Sequence, residues 1–511
     1  MLTIRLKEIL VKLINIPFFG LYLLLLIAAI LRGLLVKSGG QYFIVDEARF
    51  INGHYLLASI INGSFSESIE SIVSNPAHTG FVIFSSIAET IRYLYLFIIT
   101  SGSIHPYELT LNPTLGIGIA TFTLSLPSVI NIALLYAIIR RIGGKKGEAL
   151  LGAALMTSSC SMFYLCRHLV PYDCALMLVL IALWIGVKPV NNLKNSFACG
   201  FIACLGLLTY NGIWILSIIV CLIHVLWKKN GSDGKLRAFV ITALGGITPL
   251  LLIQFISLAL DRNFANDLLD WAKATSGNQM GDFGIGWRVL FQYLWETEHL
   301  NLILWMAGII ISFYSMIKDR TALSLSKDNL GAYAFLSIYL LLIIGSDILD
   351  NFVIYDRIAR MVVPFLCIAV SFPLFKIMNR STNLSVLLIC CAVVIQTAIN
   401  FSYPFSIMFP DEVRKLTNEK YGKVNLASSY KGENISVFDL NATNSIYTLF
   451  NANKLIPPLK GLKDIPNTEK IFTKKHPYQY KPYQYLHFKE KERNLIRKTN
   501  LEMTLIKIPN P

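Results

Sequence analysis

Apolar runs long enough to cross a lipid bilayer recur along most of this 511-residue chain. A spanning helix needs about 20 apolar residues, and the first run, Ile16 to Val36, has no cleavage-site pattern after it. Ten further runs lie at about 114–139, 149–165, 172–187, 196–210, 212–227, 238–259, 300–317, 332–346, 361–377 and 384–400. Charged residues make up only 15% of the chain, too few to cover soluble domains of this length. The sequence therefore predicts an all-α polytopic membrane protein with about 11 transmembrane helices.

Basic residues set the expected orientation. They concentrate at the N-terminus and in alternate short loops, as the positive-inside rule requires if the N-terminus is cytoplasmic. A transmembrane domain (1–400) then carries a large first outer loop, roughly 38–113, and is followed by an outer C-terminal domain (401–511). The apolar segment Phe81–Thr100 contains Glu89 and Arg92, which are costly in hydrocarbon. We therefore expect it to lie in the membrane interface.

The C-terminal domain differs in composition from the rest of the chain. The stretches ISVFDL and EMTLIKI are typical of short strands, which predicts a small α/β or mostly β domain. The formal net charge of +15 indicates contact with anionic lipid and no nucleic acid partner. Nine cysteines lack CxxC or metal-type spacing, so neither a disulfide framework nor a zinc site is indicated.

An acidic pair opens the first outer loop. Asp46 and Glu47 follow the first span by about ten residues, at the start of an amphipathic segment. They can cap a helix N-terminus, or they can present two carboxylates with separate roles at the membrane surface. Arg49, three residues after Asp46, lies on the same predicted helical face. It can orient the Asp46 carboxylate or form a plain salt bridge with it.

Several segments together resemble the GT-C class of integral-membrane glycosyltransferases, above all the protein O-mannosyltransferases and the lipid A aminoarabinose transferases. The matching segments are YFIVDEARFINGHYLL, NPAHTGFVIFSSI, YAIIRRIGGKKGEALLGAALMTSS, CRHLVPYDCALMLVLIALW, GFIACLGLLTYNGIWIL and YDRIARMVVPFLCIAV. The resemblance covers about residues 15–380. One segment departs from the family, because Pro76 and His78 are present but the family's double proline is absent.

The resemblance implies a GT-C fold with interfacial helices in the first outer loop. It further implies inverting transfer of one sugar from a polyprenyl-phosphate donor to a cell-envelope acceptor. That acceptor is lipid A, O-antigen, another glycan or a protein. We place it outside a bacterial inner membrane, and the sequons at Asn434 and Asn441 leave an ER membrane open. Asp46 would be the general base on the acceptor hydroxyl, and Glu47 would orient hydroxyl groups. No cofactor is implied, although Asp347, Asp350 and Asp356 leave a divalent metal open.

The departing lipid phosphate needs cations. Arg167 and His168 precede the fourth predicted span, and Arg357 and Arg360 precede the tenth. These side chains can instead snorkel to lipid headgroups. Asp173 can pair with Arg167 or act in the site. His78 is either a site residue or a loop hydrogen-bonding residue.

Two other classes of function remain open. A lipid-linked sugar transporter would carry charges within its spans and two related halves, whereas the charges here collect in outer loops. A polysaccharide polymerase or ligase would place catalytic Arg and His in a late outer loop, which the Arg357–Arg360 segment allows. Walker A, GxGxxG and HExxH motifs are absent from the sequence. The WWDxG-type signature of oligosaccharyltransferases is absent as well.

Overall fold

The computed structural model describes residues 19–38, 49–102, 116–188, 192–227, 232–277, 286–318, 325–349, 358 and 360–380, together with four strands between 434 and 508. The helices are α1 (Phe19–Ser38), α2 (Ile51–Ile61), α3 (Phe65–Val73), α4 (Thr79–Ile99), α5 (Ile117–Arg141), α6 (Lys146–Ser158), α7 (Cys160–Phe163), α8 (Tyr172–Gly186), α9 (Leu193–Thr209), α10 (Trp214–Trp227), α11 (Ser232–Leu258), α12 (Phe264–Gly277), α13 (Gly286–Glu298), α14 (Leu300–Lys318), α15 (Leu330–Ile343) and α16 (Val363–Arg380). Short 3-10 helices cover Tyr164–Arg167, Asn211–Ile213 and Arg360–Val362, and a π-helix covers Ile344–Ile348.

Six helices in the described part of the chain are long and apolar enough to cross a membrane. Five of them coincide with predicted spans: Phe19–Val36, Gly118–Arg141, Asp233–Leu258, Leu330–Ile348 and Arg360–Met378. The sixth is Thr79–Ile99. The other predicted runs before residue 380 are also helical but mostly shorter, and the run 384–400 lies outside the described residues. The helices support a membrane protein, and the total of eleven spans stays a prediction.

Helix α4 carries the two charges that argued against a membrane crossing. Arg92 Nη1 donates to Glu89 Oε1 at 2.9 Å, and His54 Nδ1 lies 3.2 Å from Glu89 Oε2. All three side chains are buried between α4 and α2. The charges are thus compensated inside the protein. Their presence alone therefore does not exclude a crossing.

The ends of α4 nevertheless contact the same face of the helix bundle. Gly80 lies against Thr209 at the end of α9, and Leu96 lies against Gly116 just before α5. Helices α5 and α8 run parallel, because Asn131 Nδ2 donates to the carbonyl of Asp173 and Arg141 Nη1 to that of Trp184. Tyr210, directly after α9, contacts Tyr172 at the start of α8. Helix α4 therefore extends along the face where α5 and α8 begin and α9 ends, which favours the interfacial placement.

Glycine permits a close contact between α9 and α11. A Cβ on Gly200 in α9 would lie 1.9 Å from the carbonyl oxygen of Thr242 in α11. A Cβ on Gly245 in α11 would lie 2.1 Å from the carbonyl oxygen of Phe197. Small residues at such positions let two backbones approach, as is common between membrane helices.

The described parts of the C-terminal segment form an antiparallel four-stranded sheet. The strands are β1 (Asn434–Asp439), β2 (Ile446–Thr448), β3 (Glu469–Pro477) and β4 (Asn500–Ile508), in the order β2-β1-β4-β3. Ser436 pairs with Ile506 in the central register. The strands predicted at ISVFDL and EMTLIKI are confirmed, whereas a separate domain on the outer face stays a prediction.

Candidate functional site

A buried ion pair joins two elements that are distant in sequence. Arg360, in the 3-10 helix that precedes α16, donates from Nη2 to Asp173 Oδ1 at 2.5 Å. Asp173 lies in the first turn of α8. Exposure is only 2% for Arg360 and 3% for Asp173. Arg360 is therefore a partner of Asp173, whereas the side chain of Arg167 lies outside the described part of the structure, so its pairing with Asp173 stays a prediction.

The guanidinium of Arg360 has donors that no described residue uses. Its Nε and Nη1 atoms are buried and have no hydrogen-bond partner in the part of the chain that the structure describes. A buried donor without an acceptor costs about 1–3 kcal/mol, and more when it is charged. An anion that reached these two atoms would remove that cost and would find the planar fork that suits phosphate.

Arg360 also lines a small cleft of about 10 Å³ whose other walls are aromatic and apolar. The remaining lining residues are Tyr172, Leu176, Tyr210, Ile213 and Met361. The rings of Tyr172 and Tyr210 meet edge to face, with centroids 4.8 Å apart. The cleft as it stands has room for about one water molecule, and its surface is apolar, because the free nitrogen atoms of Arg360 are covered.

His78 connects the cleft to the first outer loop. Its ring stacks on Tyr210 at a centroid distance of 5.6 Å, and its Nδ1 lies 3.3 Å from the carbonyl oxygen of Thr209. Since a carbonyl can only accept, Nδ1 carries the proton and Nε2 is left to accept from Nη1 of Arg49, which contacts it. Arg49, His78 and Tyr210 thus form a continuous series of contacts towards the cleft.

The remaining predicted site residues are described only in part. Asp46, Glu47 and Arg357 lie outside the described residues, so their roles stay predictions. The backbone of Arg167 belongs to the 3-10 helix Tyr164–Arg167, and His168 follows it as a buried residue. The structure therefore brings Arg49, His78, Asp173 and Arg360 to one face of the bundle.

Arg32 is a buried cation that the sequence analysis missed. It lies in α1, is 1% exposed, and donates from Nε to Ser128 Oγ and from Nη1 to the Ala28 carbonyl. Its Nη2 has no hydrogen-bond partner, and no carboxylate among the described residues pairs with it. The available signal was a single arginine inside an otherwise apolar span, which is costly enough to indicate a function.

Glu298 is a second buried charge without a sequence motif. At the end of α13, its carboxylate accepts from the Ser159 hydroxyl at 2.7 Å and from the backbone N–H groups of Ser161 at 2.8 Å and Cys160 at 3.3 Å. Burial raises the pKa of Glu298, and the hydrogen bonds from Ser161, Ser159 and Asn301 oppose this shift. Glu298 thus stabilises the interruption between α6 and α7. The sequence predicted one continuous span there, at about 149–165.

Metal ligands do not gather in the described part of the chain: none of its histidines, cysteines, aspartates and glutamates form groups of three or more. Of the three aspartates considered for a divalent metal, only Asp347 is described, and it accepts from the backbone N–H of Trp287 at 2.8 Å. Asp350 and Asp356 lie outside the described residues. Whether these aspartates bind a divalent metal therefore stays untested.

No protein-family model matches the chain, and no curated protein matches it. Among solved structures, the oligosaccharyltransferase of Archaeoglobus fulgidus in the apo form is similar, with a TM-score of 0.45, 14% identity, and coverage of 80% of this chain and 59% of that one. The same protein in complex with Zn and sulfate has a TM-score of 0.41, 13% identity and coverage of 78% and 56%. The archaeal oligosaccharyltransferase AglB from that organism, in complex with an inhibitory peptide and a dolichol-phosphate, gives 0.41, 13%, 79% and 59%. This chain thus spans less than two thirds of those proteins, and similarity at this level assigns no activity to it.

Proposed function

We propose that this protein is a GT-C-type membrane glycosyltransferase that moves one sugar from a polyprenyl-phosphate donor to an envelope acceptor. The observation that carries the proposal is the guanidinium of Arg360. It is held by Asp173 behind the wall of a small tyrosine-lined cleft, with two donors left unpartnered among the described residues. Such a group suits the phosphate that departs when a sugar is transferred.

The acidic pair of the first outer loop supplies the other half of the chemistry. Asp46 precedes Arg49 by three residues, and Arg49 contacts His78, which stacks on a wall of the cleft. We assign Asp46 as the base that takes the proton of the acceptor hydroxyl while its oxygen attacks the anomeric carbon. The bond from that carbon to the phosphate oxygen breaks, and the oxygen keeps the electron pair. Arg360 stabilises this charge, Glu47 orients a hydroxyl, and attack from the opposite side inverts the anomeric centre.

The proposed location follows from the basic loops and the resemblance. We assign the protein to a bacterial inner membrane, with a cytoplasmic N-terminus and with the cleft and C-terminal domain outside. The acceptor is lipid A, O-antigen, another envelope glycan or a protein. The reaction as written needs no metal, and a metal requirement can be tested directly with a chelator.

A transfer assay on purified protein tests the proposal. Polyprenyl-phosphate sugars and a panel of envelope acceptors are supplied, and release of polyprenyl phosphate is followed for the wild type and Asp46→Asn. We expect turnover by the wild type and a loss of at least about 100-fold in the variant, because general-base catalysis contributes roughly 100- to 10,000-fold. Glu67→Asn is the matched control, since Glu67 is an exposed carboxylate on α3.

Each outcome of the assay has a definite reading. Donor turnover that survives Asp46→Asn keeps the enzyme but moves its base elsewhere. A folded wild type that turns over no donor overturns the transferase. The transporter is then tested by movement of lipid-linked sugars across vesicles, and the polymerase or ligase by extension of a preformed glycan.

A further inference from the structure

A continuous polar chain links Arg32 to Arg360 through the interior of the protein. Arg32 Nε donates to Ser128 Oγ in α5, and the Cys166 thiol, in the turn before α8, lies beside Ser128. Cys166 Sγ lies 3.7 Å from Asp173 Oδ2, and Asp173 Oδ1 accepts from Arg360. Five separate elements of the fold thus converge on one buried cluster, which we call the arginine cluster (Arg32, Ser128, Cys166, Asp173 and Arg360).

The charges in the arginine cluster do not balance. Arg32 and Arg360 are two cations, and Asp173 is the one carboxylate among the described residues that pairs with either. The thiol adds no charge, because burial raises the pKa of Cys166 to about 11, as does the neighbouring Asp173. Among the described residues the cluster therefore carries one positive charge in excess, in an interior where an uncompensated ion is costly.

The unpartnered donors indicate where a compensating negative charge would bind. Arg32 Nη2 and the Nε and Nη1 atoms of Arg360 are buried without a hydrogen-bond partner among the described residues. Charged donors of this kind suit an anion with several oxygen atoms.

We propose that Arg32 is a second anion-binding residue and that the arginine cluster receives the single phosphate of a lipid-linked donor. This inference rests on the proposed function and adds the first span to its binding site. A phosphodiester that joins a sugar to a polyprenyl chain carries one negative charge, and the phosphomonoester left after transfer carries up to two. Both lie closer to the single excess charge than the corresponding diphosphate does. A diphosphate-linked donor carries more charge than the cluster compensates. The cluster thus selects a monophosphate-linked donor.

The burial of these donors makes the binding conditional. Arg360 lines the cleft, whereas its free nitrogen atoms and Arg32 Nη2 are covered by neighbouring side chains. A phosphate reaches them only when those side chains move aside. The empty cluster then costs stability and the occupied one returns it, so the ligand should raise the unfolding temperature by mass action.

Thermal unfolding and binding of the full chain in detergent test the inference. The probes are farnesyl phosphate, farnesyl diphosphate and inorganic phosphate, and the variants are Arg32→Met and the control Arg140→Met, which removes an exposed arginine at the far end of α5. In the absence of ligand, we expect Arg32→Met to raise the unfolding temperature, because it removes the excess charge. It should also weaken binding of farnesyl phosphate by about tenfold to a hundredfold, the loss of one charged hydrogen bond. Arg140→Met removes a hydrogen bond to the Gly144 carbonyl but should leave the affinity for farnesyl phosphate unchanged.

A structural role for Arg32 predicts the opposite result. A lower unfolding temperature with unchanged affinity for farnesyl phosphate overturns the inference, as does tighter binding of farnesyl diphosphate than of the monophosphate. If Arg32→Met does not fold, Arg32→Lys is used for the binding test. Lysine keeps the positive charge but loses the planar, two-pronged donor geometry of the guanidinium. At least tenfold weaker binding in that variant supports the inference, and unchanged binding overturns it.

The inference and the proposed function can fail separately. Arg32-dependent binding of farnesyl phosphate by a wild type that transfers no sugar overturns the transferase alone. Sugar transfer with a KM for the donor that Arg32→Met leaves unchanged overturns the role of Arg32 alone. Binding of inorganic phosphate without farnesyl phosphate binding overturns the lipid-linked ligand.

Discussion

Two arginines of this protein, Arg92 and Arg360, are both buried but differ in how their positive charge is compensated. Arg92 in α4 pairs with Glu89 on its own helix, and Glu89 also contacts His54 in α2. Arg360 pairs with Asp173 across 187 residues of sequence, and Asp173 is the one described carboxylate that the arginine cluster contains. The first group is neutral overall when His54 is neutral, whereas the second keeps an excess positive charge.

The difference distinguishes a structural ion pair from a binding site. A balanced pair between two adjacent helices fixes how α2 and α4 pack, and it needs no ligand. An unbalanced cluster beside a cleft costs stability that a bound anion can return. We therefore infer function here from the ratio of cations to carboxylates among the described residues, and not from burial alone.

The largest expected effect comes from unbalancing the neutral group. Glu89→Gln removes the carboxylate that Arg92 and His54 contact, and the loss of one partner from a buried pair costs about 3–5 kcal/mol. Chemical or thermal unfolding in detergent measures this loss. The double variant Glu89→Leu/Arg92→Met, which removes both charges, should recover most of it. Failure of the double variant to recover any stability would show that packing, and not charge balance, holds α2 on α4.

Exchange of arginine for lysine at both places sharpens the comparison for activity. Arg360→Lys keeps a charge beside Asp173 but loses the planar fork. We expect donor turnover to fall by about 100- to 1,000-fold, the usual result of removing one donor from a developing oxyanion. Arg92→Lys should leave turnover within about threefold, because Arg92 lies in the structural pair. The measurement is the rate of polyprenyl phosphate release. It is compared between variants whose unfolding temperatures equal that of the wild type.

Equal losses of activity in the two lysine variants would remove the distinction between the two arginines. Retained activity in Arg360→Lys would have a narrower meaning. It would show that a point charge suffices at that position, and it would shift the geometric role to Arg32.

The sequence predicts the helices better than it predicts their partners. Apolar runs locate α1, α5, α8, α9 and α10 to within a few residues, because lipid-facing and buried residues are alike apolar. The pair of Asp173 with Arg360 could not be read, because its members lie 187 residues apart and nothing local links them. Arg32 could have been noticed as an isolated charge in a span. The break between α6 and α7 could not have been noticed from the sequence. It depends on the Glu298 carboxylate, which is distant in sequence and contacts the start of α7 only in the folded protein.

Glu298 offers an intermediate case, a buried carboxylate that is balanced by hydrogen-bond donors. Its oxygens accept from two backbone N–H groups, the Ser159 hydroxyl and Asn301. Glu298→Gln replaces one acceptor oxygen by an NH₂ group that faces these donors, which should cost about 1–3 kcal/mol of unfolding free energy. Glu67→Gln on the exposed side of α3 is the control. A neutral result for Glu298→Gln would mean that the break between α6 and α7 does not depend on the carboxylate.

The smallest expected effect is at an exposed pair that links the first outer loop to the turn after α11. Arg262 Nη2 lies 3.4 Å from Glu70 Oε1, with side-chain exposures of 40% and 59%. Solvent screens such pairs, so Glu70→Gln should change the unfolding free energy by less than about 1 kcal/mol, and added salt should reduce even that difference. Unfolding of both proteins at low and high salt measures it. A cost close to that of Glu89→Gln would contradict the view that burial amplifies an unmet charge, and it would make the docking of α3 on this turn a main source of stability in the first outer loop.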